Sequence, residues 1–231
     1  MNQQSPSASP LARAATLRAA SPRPWCAPRG AALLLIGLSR VAGGYTVTLA
    51  PAAPLTVYLQ VGVGSFTGDY IDGGQPEKNG TVNTVSASLA AGVVGSGSAQ
   101  SMTTNSTAAQ SYWDGYAFCS VPGQLYIGGF YRTTGSNTAA AGVTATVPTA
   151  LVNATGATIP FSQIKWTSSG NGDNGAEPFP GGTFINGGVQ SMGSMASNTW
   201  NESCWTFSYL NSLVPAAGTF TGVVLYTLSA P

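Results

Sequence analysis

Histidine is missing from this 231-residue chain, and charge nearly so: Asp, Glu, Lys and Arg make up 6% of it, against roughly 25% in an ordinary globular protein. Without His the chain lacks the commonest general base and a favoured zinc ligand. No Gly-x-Ser-x-Gly elbow occurs either, so a Ser–His hydrolase is excluded. Long apolar runs are also scarce. The best, Ala31 to Leu38, is too short to cross a bilayer, which takes about 20 residues. No window sustains apolar residues at helical spacing, so nothing reads as a helix.

Acids are absent from the first 44 residues, which hold Arg13, Arg18, Arg23, Arg29 and Arg40. From Tyr45 onward only Lys78, Arg132 and Lys165 stand against seven acids, a formal charge of −4. So few cations cannot neutralise phosphates, and nucleic acid is not an expected partner. A basic leader, the apolar run and then small residues match the parts of a secretory signal, with cleavage expected after Gly44. An uncleaved anchor or a disordered arm are the other readings. We therefore divide the chain into a leader, 1–44, and one domain, 45–231, sent to the cell surface or an extracellular or periplasmic space, with no membrane span in the mature part.

Only three cysteines occur, and beyond the leader two remain, Cys119 and Cys204. An even number in an exported chain reads as one disulfide, with two buried free thiols as the other reading.

What the chain has in plenty is Gly, Ser, Thr, Asn and strand formers. Leu55, Val57, Leu59 and Val61 alternate with Thr56, Tyr58 and Gln60, the period-two pattern of a strand with one buried face. Further strands are expected at 45–50, 81–91, 112–121, 124–132, 142–147, 158–167, 183–189, 203–210 and 219–229. The Pro122-Gly123 turn suggests a hairpin of 112–121 with 124–132, and Pro215 and Gly218 suggest another joining the last two strands. About nine short strands with Gly/Pro/Asn turns predict an all-β fold, a single antiparallel sandwich, with a small barrel as the alternative.

Sites are sparse. Two carboxylate pairs, Asp69 with Asp72 and Asp173 with Glu177, lie in Gly-rich loops and have the residue types glycoside hydrolysis needs, though such acids also simply form solvated turns. Asn171, Asp173 and Asn174 form the best oxygen cluster for calcium; beyond that weak candidate no metal or cofactor is implied. The Asn-x-Ser/Thr sequons at Asn79, Asn105, Asn153 and Asn201 arise easily by chance in so polar a chain. Aromatic residues are the better lead, because sugars stack their apolar faces on exposed rings. Trp200, Trp205, Phe207 and Tyr209 are the candidate glycan-binding residues, with the core as the competing destination for each. Alternation along the strand sets Cys204 on the face opposite Trp205, Phe207 and Tyr209: either the rings fill the core and the disulfide lies outside, or the reverse.

Gly218-Thr219-Phe220-Thr221-Gly222, with the ending Tyr226 to Pro231, resembles the last strands of secreted bacterial pilin-like and spore-coat-U-like proteins. The resemblance implies an immunoglobulin-like sandwich at the cell surface, polymerised with like subunits by strand donation, with Leu55 to Val61 as the donor. The expected function is a non-enzymatic structural or adhesive surface protein, pilus-like or part of an extracellular matrix, whose partners are like subunits or surface glycans. A carbohydrate-binding module is the first alternative, and a hydrolase using loop carboxylates the second.

Overall fold

Alternating apolar and β-branched residues, broken every few positions by Gly, Pro or Asn, allow strands and little else. In the computed structural model, which describes residues 47–53, 55–69, 81–134, 139–171 and 177–231 (without the side chains of 66–69), that is the outcome. The chain runs through β1 (Val47–Thr48), β2 (Thr56–Val61), β3 (Gly64–Asp69), β4 (Val85–Ser86), β5 (Gln100–Ser101), β6 (Thr103–Thr104), β7 (Leu125–Arg132) and β8 (Ala141–Val147). It continues through β9 (Ala150–Val152), β10 (Thr158–Pro160), β11 (Ile164–Ser169), β12 (Gly182–Thr183), β13 (Gly188–Met195), β14 (Thr199–Tyr209) and β15 (Leu225–Ser229). Among the described residues the helical content is two single 3₁₀ turns, at Ala91–Val93 and Phe161–Gln163.

All pairings are antiparallel. A large sheet runs β12-β11-β14-β7-β2-β3, and a small one β13-β8-β15. β14 is the longest strand, with 11 residues, and it pairs with β11, β7, β1 and β5 along its length. Leu125, Ile127, Trp166, Trp205 and Phe207 of the large sheet pack with Val143, Ala145, Val147, Met192 and Met195 of the small one. This is the β-sandwich expected from the pattern, with the aromatic side of β14 turned into its core.

Three local expectations give way. Residues 112–121 form no strand; they are a loop lying on the outer face of the large sheet, and the strand after it, β7, pairs with β14 and β2 instead. The last two strands are not a hairpin. β14 and β15 belong to opposite sheets, and Trp205 meets Tyr226 across the core with ring centroids 5.7 Å apart. The turn residues Pro215 and Gly218 thus serve a crossing segment of the sandwich. Finally, all of Leu55 to Val61 but its first residue forms β2, held by β3 on one side and β7 on the other; its backbone groups are spent in the sheet, so it is not a free donor strand. The leader, Asp72, Asp173 and Asn174 lie outside the described residues, as does the sequon at Asn79.

Candidate functional site

Because side chains alternate across a strand, β14 supplies two surfaces. Inward go Ser203, Trp205, Phe207 and Tyr209, all buried. Trp205 is wholly enclosed, and its indole N–H donates to the Phe179 carbonyl at 3.0 Å. Such a ring offers no face to a sugar. Phe207 and Tyr209 are nearly as deep, and both reach a groove at the side of the sandwich. The Tyr209 hydroxyl has no hydrogen-bond partner among the described residues, and burial pushes its phenol above the ordinary range.

The groove follows from the unequal sheets. β8 carries β15 on one edge, and among the described residues no strand pairs with the other edge of β15. Facing it across the opening is the inner surface of β2. The space between has a volume of about 1940 Å³ and is lined by Val57, Leu59, Val85, Phe207, Val224 and Leu228 among others. Among the described residues no charged side chain lines it. Three further lining valines, Val82, Val214 and Val223, are 70%, 79% and 72% exposed. An uncharged, apolar trough beside an unpaired main-chain edge has both elements of strand addition: ladder hydrogen bonds from the edge and pockets for alternate side chains.

The outward surface of β14 is Trp200, Glu202, Cys204 and Thr206. Cys204 forms the disulfide with Cys119, with Cα atoms 5.5 Å apart across 85 residues of sequence. The bond is buried with Phe118 and Tyr126, so it neither faces solvent nor displaces the aromatic core: the loop it anchors roofs it over. Beside it, register sets Glu202 opposite Gly128 and Gly128 opposite Gln60. A Cβ on Gly128 would fall 2.3 Å from the Tyr126 hydroxyl oxygen and 2.7 Å from its ring. Glycine there lets Tyr126 lie across the strand and donate to Glu202 at 2.8 Å. Burial, then the adjacent Glu202 charge, raise the Tyr126 phenol far above its ordinary value. On β2, the Tyr58 hydroxyl donates to Gln60 Oε1 at 2.5 Å, and the Gln60 amide donates to the Gly62 carbonyl.

Trp200 belongs to an aromatic layer farther along this face. Tyr58 stacks on Phe130 at 5.6 Å and on Trp200 at 5.7 Å. Above them, the 112–121 loop places Tyr112 on Tyr58 and Trp113 over Trp200. Trp200 itself is buried, and the exposed rings are those of Tyr112, Trp113 and Tyr116. Sequence reading missed this because it took the loop for a strand, whose alternate side chains would have been divided between core and solvent. The Asp-Gly turn at Asp114-Gly115, in the middle of the aromatic run, is the signal that could have found it.

Of the calcium candidates, Asn171 is described. Its amide donates to the Phe118 carbonyl at 2.6 Å and to Gln124 Oε1 at 2.7 Å, and its oxygen accepts from Ser169. It braces the disulfide loop against the end of β11. Of the carboxylate pairs, Glu177 accepts from the buried Ser203 hydroxyl at 2.8 Å. Among the described residues no three His, Cys, Asp or Glu side chains gather as a metal-binding group, and no helix is long and apolar enough to cross a membrane. At two of the sequons the Asn side chain is engaged: Asn153 accepts from the backbone of Thr155 and Ala157, and Asn105 from that of Thr84.

A scan against protein-family models, a search of curated proteins and a search of solved structures each gave no match.

Proposed function

We propose that this chain is a secreted, non-enzymatic structural subunit of a surface assembly, an immunoglobulin-like sandwich that joins like subunits by accepting an extended segment from another copy. The observation that carries the reading is the edge of β15 that no strand pairs among the described residues, beside an apolar groove with no charged side chain among its described lining. An exposed edge of that kind invites another chain, and an occupant must be extended, apolar on alternate positions and uncharged.

Tyr45 to Ala50 has that pattern: Tyr45, Val47 and Leu49 alternate with Thr46 and Thr48, and Pro51 follows. Its six residues are enough to run along the five of β15. Among the described residues, β1 has two register pairs, Val47 with Trp200 and Thr48 with Thr199, and Leu49 beyond it donates to the Asn198 carbonyl at 2.8 Å and is buried against Trp200, so donation to another copy exchanges these contacts for those of the groove. This stretch replaces Leu55 to Val61 as the donor.

The test is the mass distribution of the purified chain by light scattering, with negative-stain microscopy. Wild-type protein is expected to form assemblies larger than one copy. Val82→Asp combined with Val223→Asp sets charges on exposed groove positions and is expected to leave monomers that melt as wild type does. A wild-type chain that stays monomeric at every concentration sinks the reading, as do assemblies indifferent to the two aspartates.

A further inference from the structure

Tyr112, Trp113 and Tyr116 fall within five consecutive positions and are 65%, 46% and 65% exposed. That much aromatic surface in one short loop calls for a partner, because isolated exposed rings need no explanation but a cluster does. We propose that this loop is a binding shelf for a neutral glycan, a site independent of the groove. The shelf has three properties that a sugar needs.

The rings are held from below. Tyr112 stacks on Tyr58 at 5.6 Å with the planes 21° apart, and Trp113 lies 6.0 Å from Trp200. The supporting rings, Tyr58 and Trp200, are themselves 5.7 Å apart. The two upper rings thus each rest on one of two adjoining rings. The loop is fixed as well: Cys119 is bonded to β14, and Ser111 and Tyr116 close the turn by a 2.8 Å backbone bond. Rings set in advance lose little freedom when a ligand stacks on them.

The polar groups nearby suit hydroxyls. The Asp114 carboxylate accepts from the Tyr116 N–H at 2.9 Å, which leaves its other oxygen for a ligand. The phenols of Tyr112 and Tyr116 stand on exposed residues and both donate and accept. In the layer beneath, the buried Trp200 indole N–H has no partner among the described residues.

Charge and size select the class. Within the loop the only charge is that of Asp114, and Arg132, on the same face of β7 as Phe130, donates to the Ala50 carbonyl at 2.9 Å, so phosphate, sulfate, sialic acid and anionic lipid headgroups on the loop meet a carboxylate first. At roughly 200 Å² for a fully exposed aromatic side chain, the three rings offer a few hundred Å². That is short of the roughly 800 Å² per partner of a stable protein interface, but it fits two or three sugar rings. Stacked upper and lower rings also differ from the enclosing box that holds a quaternary ammonium ion.

The experiment is a glycan array of neutral, sialylated and sulfated oligosaccharides probed with the full chain. Fluorescence titration of the best neutral hit then follows, with phosphocholine as a control. Binding to neutral glycans is expected, and Trp113→Ala and Tyr112→Ala are each expected to weaken it about tenfold while the melting temperature holds. Val223→Asp, at the groove, is expected to bind as wild type. An empty array, a preference for anionic glycans or for phosphocholine, or unchanged affinity in both ring variants would each overturn the proposal.

Discussion

The two faces of β14 are both buried, by different means. Inward, Trp205 and Phe207 meet the small sheet in apolar packing. Outward, Cys204 and Trp200 are covered by a loop that is not a strand, fastened by a disulfide and a layer of rings, while beneath it Tyr126 of β7 bonds Glu202 across the sheet. The inner face follows from the sandwich as a whole. The outer face depends on a few specific attachments, and for that reason it can carry exposed rings that would be unstable on an unsupported loop.

The contrast can be broken from either side. Trp205→Ala empties the centre of the core and orphans the Phe179 carbonyl; the loss expected is about 3–5 kcal/mol, read as the shift in a urea unfolding curve. Replacing Cys119 and Cys204 together by alanine removes the long cross-link and is expected to cost roughly 3–4 kcal/mol. It should also expose the 112–121 loop to protease while the sheets keep their circular dichroism. If the pair can be removed with protection intact, the loop is packed and not stapled.

Tyr126→Phe removes the donor to Glu202, for about 1–2 kcal/mol at neutral pH. The same residue makes the alkaline limb testable. Its folded phenol is raised, so the folded chain keeps the proton after the unfolded chain releases it near pH 10. Fewer protons on the unfolded state mean that stability is fully present below about pH 10 and falls as pH rises beyond it. Unfolding midpoints at neutral pH and above pH ~10 should show that fall in the wild type and a shallower one in Tyr126→Phe. Smallest of all, Trp113→Ala is expected to shift stability by no more than about 0.5 kcal/mol, because nearly half of its surface already faces water. A larger loss would make the outer rings part of the core.

Strands with apolar periodicity are displayed by the sequence: β2 lies within the alternating stretch Leu55 to Val61, β7 within 124–132, and β8 within 142–147 except for its first residue. The disulfide was legible from cysteine parity. The reading failed where apolar residues serve something other than a sheet. Tyr112 to Phe118 has the composition of a strand, yet those rings cover another strand's outer face, and only contacts distant in sequence reveal it. The hairpin at the C-terminus failed likewise, since Pro215 and Gly218 mark a change of direction without saying which sheet receives the chain. The groove was illegible in any stretch, being a mismatch between sheets in what each edge pairs with. Its residues Phe207 and Tyr209 have the composition of a sugar-stacking site, but their burial assigns them to core and groove.

Cys119 lies six positions beyond Trp113, and its bond to Cys204 enters the longest strand of the molecule between its pairings with β11 and β7. A pull on the exposed rings therefore travels a short length of backbone and then a covalent bond into the middle of the sheet. It loads neighbouring ladders on both sides at once, where a pull on a free edge would open hydrogen bonds one at a time. Mechanically, the outer loop is a handle bolted to the central beam: once its short free length is drawn taut, tension on it is shared by the large sheet.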